Sequence, residues 1–198
     1  MSNTYSNGKV LLPIHKNAST WLRNMLNQIL GEPDRQNAKE RWKASYYNTQ
    51  TVIVFVRNPW DRVLSGYLYT KKHWSQEKEY GPFPDYSIYL QEIEKMGIGK
   101  APWQSFQRQY DYIDMPIADL FFFGHYENLY DDFTRLCEKM EVKPPDSKIF
   151  QYYHNRNGNT SRDGTGGPTG YRDYYTDETK KIIERIYQKD IEKFEYSF

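Results

Sequence analysis

A short loop near the start of the chain combines residue types that suit an anion. The loop HKNAST covers residues 15–20, and in it Lys16 precedes small and hydroxyl-bearing residues. Lysine adds a mobile positive charge, and the hydroxyls of Ser19 and Thr20 are donors or helix N-caps. A loop that leads from a strand into a helix also turns backbone N–H groups toward one point. These residues indicate a phosphate or sulfate site, with an ordinary capped helix as the alternative; the glycine-rich pattern of nucleoside triphosphatases is absent.

A second strand-to-helix connection, FVRNPWDRVLSGY at residues 55–67, repeats this logic with an arginine. Arg57 ends the predicted strand and Ser65 lies in the following helix. Ligands of open α/β sheets bind at the carboxyl ends of the strands, and a planar guanidinium binds phosphate through two parallel hydrogen bonds. Arg62 either joins them or pairs with Asp61 or another carboxylate, and a structural ion pair is the alternative for Arg57. Two anion sites on neighbouring strands predict one ligand with two separated anionic groups.

Apolar patterning predicts the sheet that positions these loops. TVIVFV, residues 51–56, is apolar without alternation, which is typical of a strand buried on both faces of a parallel sheet. Strands are also predicted at 10–14 and 120–124, and helices at 20–30, 60–72, 87–96, 103–110, 127–140 and 177–194. Pro59 suits a first helical turn and Thr176 can cap the last helix. The fold class is therefore α/β, with three layers and a mainly parallel sheet flanked by helices.

Composition sets the outer bounds. A length of 198 residues predicts a single domain over 1–198, with a loose polar end at 1–8 and a flexible, glycine-rich loop at 155–170. The net charge of +1 predicts neither nucleic acid nor a membrane surface as partner. Cys137 is the sole cysteine, so no internal disulfide forms, and no ligand-spaced cluster predicts a metal. Without a long apolar run or a signal-peptide core, the expected location is cytoplasmic.

The two motifs resemble those of sulfotransferases that use 3′-phosphoadenosine 5′-phosphosulfate (PAPS). LPIHKNASTWLRNML, residues 12–26, is similar to the 5′-phosphosulfate loop, and VFVRNPWDRVLSGY, residues 54–67, to the 3′-phosphate motif. The likeness is closer to the carbohydrate-type branch than to the cytosolic aryl type. Residues 121–140 and 171–198 resemble the same family. The resemblance implies a P-loop-like sulfotransferase fold, PAPS as cofactor and adenosine 3′,5′-bisphosphate as product.

Site residues follow from the same resemblance. The residues implied to hold the 5′-phosphosulfate are Lys16, Asn17, Ala18, Ser19, Thr20 and Trp21. Arg57 and Ser65 are implied to hold the 3′-phosphate. A segment that folds over the cofactor adds Ser161, Arg162 and Tyr171. Residues 155–170 are longer and richer in glycine than the family pattern, so the register of these last contacts stays open.

Sulfuryl transfer requires positioning and charge stabilisation, with no metal. Lys16 suits the bridging oxygen of the leaving bisphosphate. Related enzymes often supply a His or Glu base between the motifs, but no histidine lies between Lys16 and Arg57. We take Glu40, from that interval, and His73, which follows the second helix, as the candidate bases, and the base stays unassigned. The other groups considered are Glu32, Asp34, His15, His125 and His154, of which His125 has a structural position in the family-like stretch.

The acceptor is expected to be a small molecule or a glycan, with a carbohydrate hydroxyl implied by the family likeness. A lipid, polyketide or tyrosyl acceptor stays open, as does the oligomeric state. Aromatic residues between 73 and 119 suit stacking on sugar rings: Trp74, Tyr80, Phe83, Tyr86 and Trp103. Two other functions compete: an atypical small-molecule kinase, and a non-catalytic domain that binds the bisphosphate or sulfated glycans.

Overall fold

A computed structural model of the protein describes residues 3–33, 43–72, 82–98, 106–146, 148–149 and 170–198. The chain divides into two units, each made of two segments. The sheet unit consists of Met1–Arg57 and Gln109–Gly158, and the helical unit of Asn58–Arg108 and Asn159–Phe198. The single domain over 1–198 stays a prediction. So does the flexible loop at 155–170, because residues 155–169 lie outside the described residues.

The strands are β1 (Asn3–Thr4), β2 (Val10–Leu11), β3 (Val52–Val56) and β4 (Phe122–His125). The α-helices are α1 (Ser19–Leu30), α2 (Pro59–Lys72), α3 (Tyr86–Met96), α4 (Gln109–Tyr112), α5 (Leu129–Lys139), α6 (Asp177–Ile186) and α7 (Gln188–Lys193). Short 3-10 turns cover Ala44–Tyr46, Thr49–Thr51, Ile117–Asp119, Tyr126–Asn128 and Arg172–Tyr174.

The sheet has the order β1-β2-β3-β4, with β1 antiparallel to β2 and the other pairs parallel. The predicted α/β class, with a mainly parallel sheet flanked by helices, is confirmed. The loose end predicted at 1–8 is wrong at Asn3–Thr4, because backbone pairing with β2 makes these residues a strand. β2 is shorter than predicted. Leu12 still donates its N–H to the Ile53 carbonyl at 3.0 Å, but Pro13 has no N–H and ends the ladder.

The core of the sheet unit joins α1 and α5 to one face of the sheet. Its buried side chains include Leu11, Trp21, Met25, Leu26, Ile53, Phe55, Phe122, Phe133, Leu136 and Cys137. Trp21 packs edge-to-face on Phe133, with ring centroids 5.3 Å apart. Burial raises the pKa of the Cys137 thiol to about 11, with a further contribution from Glu138. The thiol is therefore protonated at neutral pH and unsuited to nucleophilic chemistry.

Gly124 lets β4 lie close to the aromatic side of β3. It is in register with Phe55, and a Cβ at this position would stand 2.6 Å from the Phe55 ring. Such a distance is shorter than any real Cβ contact, so only glycine fits here without displacing Phe55. The close approach lies one residue before the end of β3, the strand that Arg57 directly follows.

The helical unit is built around an aromatic core. Tyr67 of α2 lies 4.8 Å from Tyr86 and 5.1 Å from Tyr89, measured between ring centroids. The hydroxyl of Tyr86 hydrogen-bonds that of Tyr175, and Tyr175 donates to the Trp60 carbonyl at 2.8 Å. Buried tyrosines need such partners for their hydroxyls, so Tyr86 and Tyr175 contribute both to packing and to hydrogen bonding.

The final helix is interrupted, contrary to the single helix predicted at 177–194. α6 and α7 are separated by Tyr187, whose backbone leaves helical geometry at φ −108° and ψ 21°. Its ring is fully buried and its hydroxyl donates to the Phe106 carbonyl at 2.7 Å. This tertiary contact outweighs the continuous apolar periodicity. Thr176 caps α6 as predicted, in a reciprocal capping box with Thr179.

The region before β4 also differs from the sequence prediction. A helix was expected at 103–110, whereas α4 covers Gln109–Tyr112 and residues 99–105 lie outside the described residues. Among the residues that the structure describes, no helix combines the length and apolar character needed to cross a membrane.

Candidate functional site

The first motif bends sharply between β2 and α1. Lys16 and Ala18 both adopt positive φ angles, 69° and 58°, although neither is glycine. Left-handed backbone costs roughly 1–2 kcal/mol per residue with a Cβ, and such strain clusters at functional sites. Lys16 is half-buried and lies three residues before Ser19, the first residue of α1.

The start of α1 carries no cap from its own side chains. Ala18 is the N-cap residue, its backbone is left-handed, and no side chain there bonds the first turn. The first N–H groups of a helix have no partner within the helix, so they attract anions together with the helix dipole. Ser19 and Thr20 are the first two residues of this helix, Ser19 half-buried and Thr20 exposed, so neither is enclosed in the core. This end of α1 can hold a phosphate or sulfate oxygen.

Arg57 adjoins the first motif. It follows β3, its side chain is 4% exposed, and its Nη1 donates to the carbonyl oxygen of Lys16 at 2.8 Å. Its guanidinium also lies over the Tyr126 ring, 4.0 Å from the centroid. Stacking and hydrogen bonding together restrict the fork to one orientation. The two cations predicted from separate motifs thus belong to one part of the sheet unit.

Two buried amides link the motifs a second time. Gln109 Oε1 accepts the Arg57 N–H at 2.9 Å, and Gln109 Nε2 donates to the Arg57 carbonyl at 2.8 Å. Asn17 Nδ2 donates to Gln109 Oε1 at 2.6 Å and to the Phe55 carbonyl at 2.8 Å. Both amide hydrogens of Asn17 are therefore used inside the protein. Its side chain offers no donor to a ligand, although the resemblance implied a cofactor contact.

The remaining implied cofactor residues have different placements. The indole of Trp21 is 3% exposed and packs in the core, so its ring is not available to a ligand. Ser65 is 5% exposed on α2, and Tyr171 is 3% exposed in an aromatic cluster with Tyr175. Both belong to the helical unit. Ser161 and Arg162 lie outside the described residues.

Arg62 has a structural position. It is fully buried on α2, and its Nη1 donates to the Gln107 carbonyl at 2.8 Å. Of the two roles open from the sequence, this contact favours the structural one, with a backbone carbonyl as partner.

The base stays unassigned. Glu40 and His73, the two candidates, lie outside the described residues. Glu32 follows the far end of α1, and twelve helical residues separate it from the first motif by about 18 Å, too far for proton transfer there. His125 is held by Asp132, which accepts its backbone N–H at 2.7 Å, as its structural position in the sequence suggested.

Sequence inspection did not single out Gln109 or Tyr126. Gln109 is one of three glutamines within six residues, and its partners lie 52 and 92 residues away along the chain. No local signal distinguishes it from Gln104 or Gln107. Tyr126 lies in the family-like stretch, but its contact with Arg57 likewise depends on the fold. Within the described part of the chain, no three His, Cys, Asp or Glu side chains form a metal-binding cluster.

The fold is that of an α/β protein with a mainly parallel sheet, and the cations, hydroxyls and uncapped helix start beyond its strands suit an anionic ligand. The sequence profile of the sulfotransferase family matches residues 5–197. The match covers nearly the whole chain, and the protein belongs to the sulfotransferase family. No curated protein and no solved structure gives a significant match to it.

Proposed function

We propose that the protein transfers a sulfuryl group from PAPS to an acceptor hydroxyl of a carbohydrate. The observation that carries the proposal is the 2.8 Å hydrogen bond between Arg57 Nη1 and the Lys16 carbonyl oxygen. It joins the residues that the family likeness assigns to opposite ends of one nucleotide. The residues present also suit such a ligand, because two cations and a helix start without a side-chain cap favour anionic groups.

The binding roles divide between side chains and backbone. Lys16, Ser19, Thr20 and the first N–H groups of α1 hold the 5′-phosphosulfate, and Arg57 holds the 3′-phosphate, a group to which the family likeness also assigns Ser65. Asn17 contributes through the shape of the bend, because its amide hydrogens bond Phe55 and Gln109. The family likeness also assigns Ser161, Arg162 and Tyr171 to the cofactor.

The proposed chemistry relies on charge placement. PAPS supplies an activated sulfuryl group, which an acceptor oxygen attacks in line. The Lys16 ammonium stabilises the negative charge that develops on the leaving phosphate, as cations do in phosphoryl transfer. Glu40 or His73 removes the proton of the acceptor hydroxyl. A carbohydrate acceptor rests on the likeness of both motifs to the carbohydrate-type branch.

Ligand-linked stabilisation tests the donor. Thermal unfolding is measured with adenosine 3′,5′-bisphosphate and, separately, with ATP and magnesium. At one hundred times its dissociation constant, the bisphosphate is expected to stabilise the fold by about 2.7 kcal/mol. Stabilisation by ATP and magnesium alone would contradict the proposal and favour a kinase.

Transfer from labelled PAPS tests the reaction and the acceptor class. A panel of glycans is expected to accept label, whereas lipid, polyketide and tyrosyl hydroxyls are expected to accept little. Binding of the bisphosphate without transfer to any acceptor would point to a non-catalytic binding domain. Label on a non-carbohydrate acceptor alone would retain the sulfotransferase and overturn the glycan assignment.

A further inference from the structure

The side-chain amide of Gln109 pairs with the backbone of Arg57 as the backbone of a neighbouring strand would. Its amide exchanges two hydrogen bonds with the backbone of Arg57, one with the N–H at 2.9 Å and one with the carbonyl at 2.8 Å. Arg57 follows the last residue of β3, so this side chain extends the ladder by one residue beyond the sheet. Both the N–H and the carbonyl group of Arg57 are therefore hydrogen-bonded to the Gln109 side chain.

The orientation of both amides follows from this pattern. The amide atom of Gln109 that faces the Arg57 N–H must be the oxygen, because it accepts a hydrogen bond from that group. The same oxygen accepts a hydrogen bond from Asn17 Nδ2 at 2.6 Å. Asn17 must then direct its nitrogen inward, where the Phe55 carbonyl is its second acceptor at 2.8 Å. A flipped Gln109 amide would place its NH2 group against the Arg57 N–H. A flipped Asn17 amide would place its oxygen against the oxygens of Gln109 and Phe55. The network therefore admits one arrangement of hydrogen-bond polarity.

Burial makes this arrangement stringent. Gln109 is fully buried and Asn17 is 1% exposed, so water cannot replace a lost partner at either amide. A buried polar group that loses its partner is destabilised by its full desolvation penalty. The N–H of Ile113 also bonds the Gln109 carbonyl at 3.1 Å, which anchors Gln109 within α4. The anchored amide thus holds the bend at Asn17 and the end of β3 in a fixed relation.

We infer that Gln109 is a positioning residue that sets the spacing between the Lys16 bend and Arg57, and through it the affinity for a bis-anionic nucleotide. The inference rests on the proposed function for the identity of the ligand. Gln109 itself contacts backbone and Asn17 and makes no proposed contact with the nucleotide. Its influence comes from the network, because Asn17 neighbours Lys16 and Arg57 carries the second cation.

The test uses Gln109→Asn, which keeps the amide but shortens the side chain by one methylene. The shorter amide cannot reach both backbone groups of Arg57 from α4. Hydrogen exchange of the Arg57 N–H is expected to accelerate at least about tenfold, since a lost bond of about 1.4 kcal/mol corresponds to that factor. The N–H of Val54, in the middle of β3, is the internal reference and is expected to keep its rate. A merely structural loss would accelerate both.

Affinity for adenosine 3′,5′-bisphosphate is measured on the same variant. The dissociation constant is expected to rise at least about tenfold, the factor that corresponds to about 1.4 kcal/mol of lost interaction. Gln28→Asn makes the same change at an exposed position of α1 and is expected to leave both readouts unchanged. Unchanged exchange at Arg57, or unchanged affinity, in Gln109→Asn would overturn the inference.

A second variant keeps the test decisive if Gln109→Asn fails to fold. Asn17→Ala removes the hydrogen bonds of Asn17 to Gln109 and Phe55. It is expected to weaken bisphosphate binding by a smaller factor than Gln109→Asn does, and undiminished affinity would overturn the inference. Bisphosphate binding by the wild-type protein distinguishes a failure of this inference from a failure of the proposed function. If the wild-type protein does not bind the bisphosphate, the proposed function fails, while Arg57 exchange in Gln109→Asn still reports whether Gln109 fixes the strand end.

Discussion

Arg57 and Arg62 are five residues apart and both buried, yet each serves a different unit. In the sheet unit, Arg57 donates to the Lys16 carbonyl at 2.8 Å and stacks on Tyr126, beside the uncapped start of α1. In the helical unit, Arg62 donates to the Gln107 carbonyl at 2.8 Å. Burial of an arginine therefore does not by itself identify an anion site; its neighbours decide.

The starts of α2 and α6 differ from the start of α1 in how they are capped. In the helical unit, Asn58 Oδ1 accepts the Trp60 N–H at 3.1 Å, and Thr176 caps α6 through Thr179. In the sheet unit, α1 begins after a left-handed Ala18 with no side-chain cap. Side chains therefore cap the starts of α2 and α6, whereas the start of α1 has no side-chain cap.

Of the substitutions that test this comparison of the two units, the replacement of Lys16 is expected to have the largest effect. Lys16→Ala keeps a Cβ at the left-handed position, so the backbone strain and the fold are retained. Loss of the ammonium is expected to lower sulfuryl transfer by roughly 10³–10⁵-fold, as for other cations that stabilise a transferred group. The measurement is label transfer from PAPS. Lys95→Ala on α3 is the surface control, and near-normal transfer by Lys16→Ala would remove Lys16 from the leaving-group role.

The two arginines are expected to give opposite results when each is replaced by alanine. Arg57→Ala is expected to weaken bisphosphate binding by roughly 2–5 kcal/mol, because the buried guanidinium proposed to contact the 3′-phosphate is lost. Arg62→Ala is expected to lower the free energy of unfolding by about 2–4 kcal/mol, because the Gln107 carbonyl loses its donor and a cavity remains. Calorimetric titration and denaturant unfolding measure the two quantities. Equal losses of affinity in both variants would end the distinction.

Alkaline pH is expected to act mainly on the helical unit. Burial raises the pKa of Tyr67, Tyr86, Tyr89 and Tyr187 there, and of Tyr5 in the sheet unit. The unfolded chain releases these protons first, so stability is retained below pH 10 and falls above it. The fall is about 1.4 kcal/mol per pH unit for each fully buried tyrosine. Unfolding followed from pH 8 to 11 measures it, and Tyr187→Phe should flatten the decline; an unchanged slope would contradict this origin.

Changes at the helix starts are expected to be the smallest. Thr176→Ala removes the cap of α6 and is expected to lower the free energy of unfolding by about 1 kcal/mol. Ala18→Ser offers a hydroxyl at the start of α1, but Ala18 has φ 58° and ψ 24° rather than the extended backbone of a capping residue. Its expected effect is within about 0.5 kcal/mol. Denaturant unfolding measures both, and a clear gain from Ala18→Ser would show that α1 accepts a cap.

Local patterns in the chain were sufficient for much of the framework. The β-branched run of β3, Pro59 at the start of α2 and the Thr176 cap each depend on neighbours a few residues away. The first motif and Arg57 were likewise identified by spacing and chemistry. Patterns of this kind arise from backbone geometry and periodicity, which a sequence carries directly.

Long-range contacts decided the rest. β1 is a strand only because β2 pairs with it, and Tyr187 interrupts the last helix because its hydroxyl bonds Phe106. The bases predicted at Glu40 and His73 stay predictions. Asn17 was expected to bind cofactor, and only its bonds to Phe55 and Gln109 turn its amide inward.

The sequence by itself determined that two strand-to-helix motifs of an α/β protein carry Lys16 and Arg57. Tertiary structure alone decided that these motifs adjoin and that Gln109, distant along the chain, ties them together. The physical reason is that local residue types set backbone geometry, whereas a hydrogen bond between distant segments exists only once packing has brought its donor and acceptor within reach.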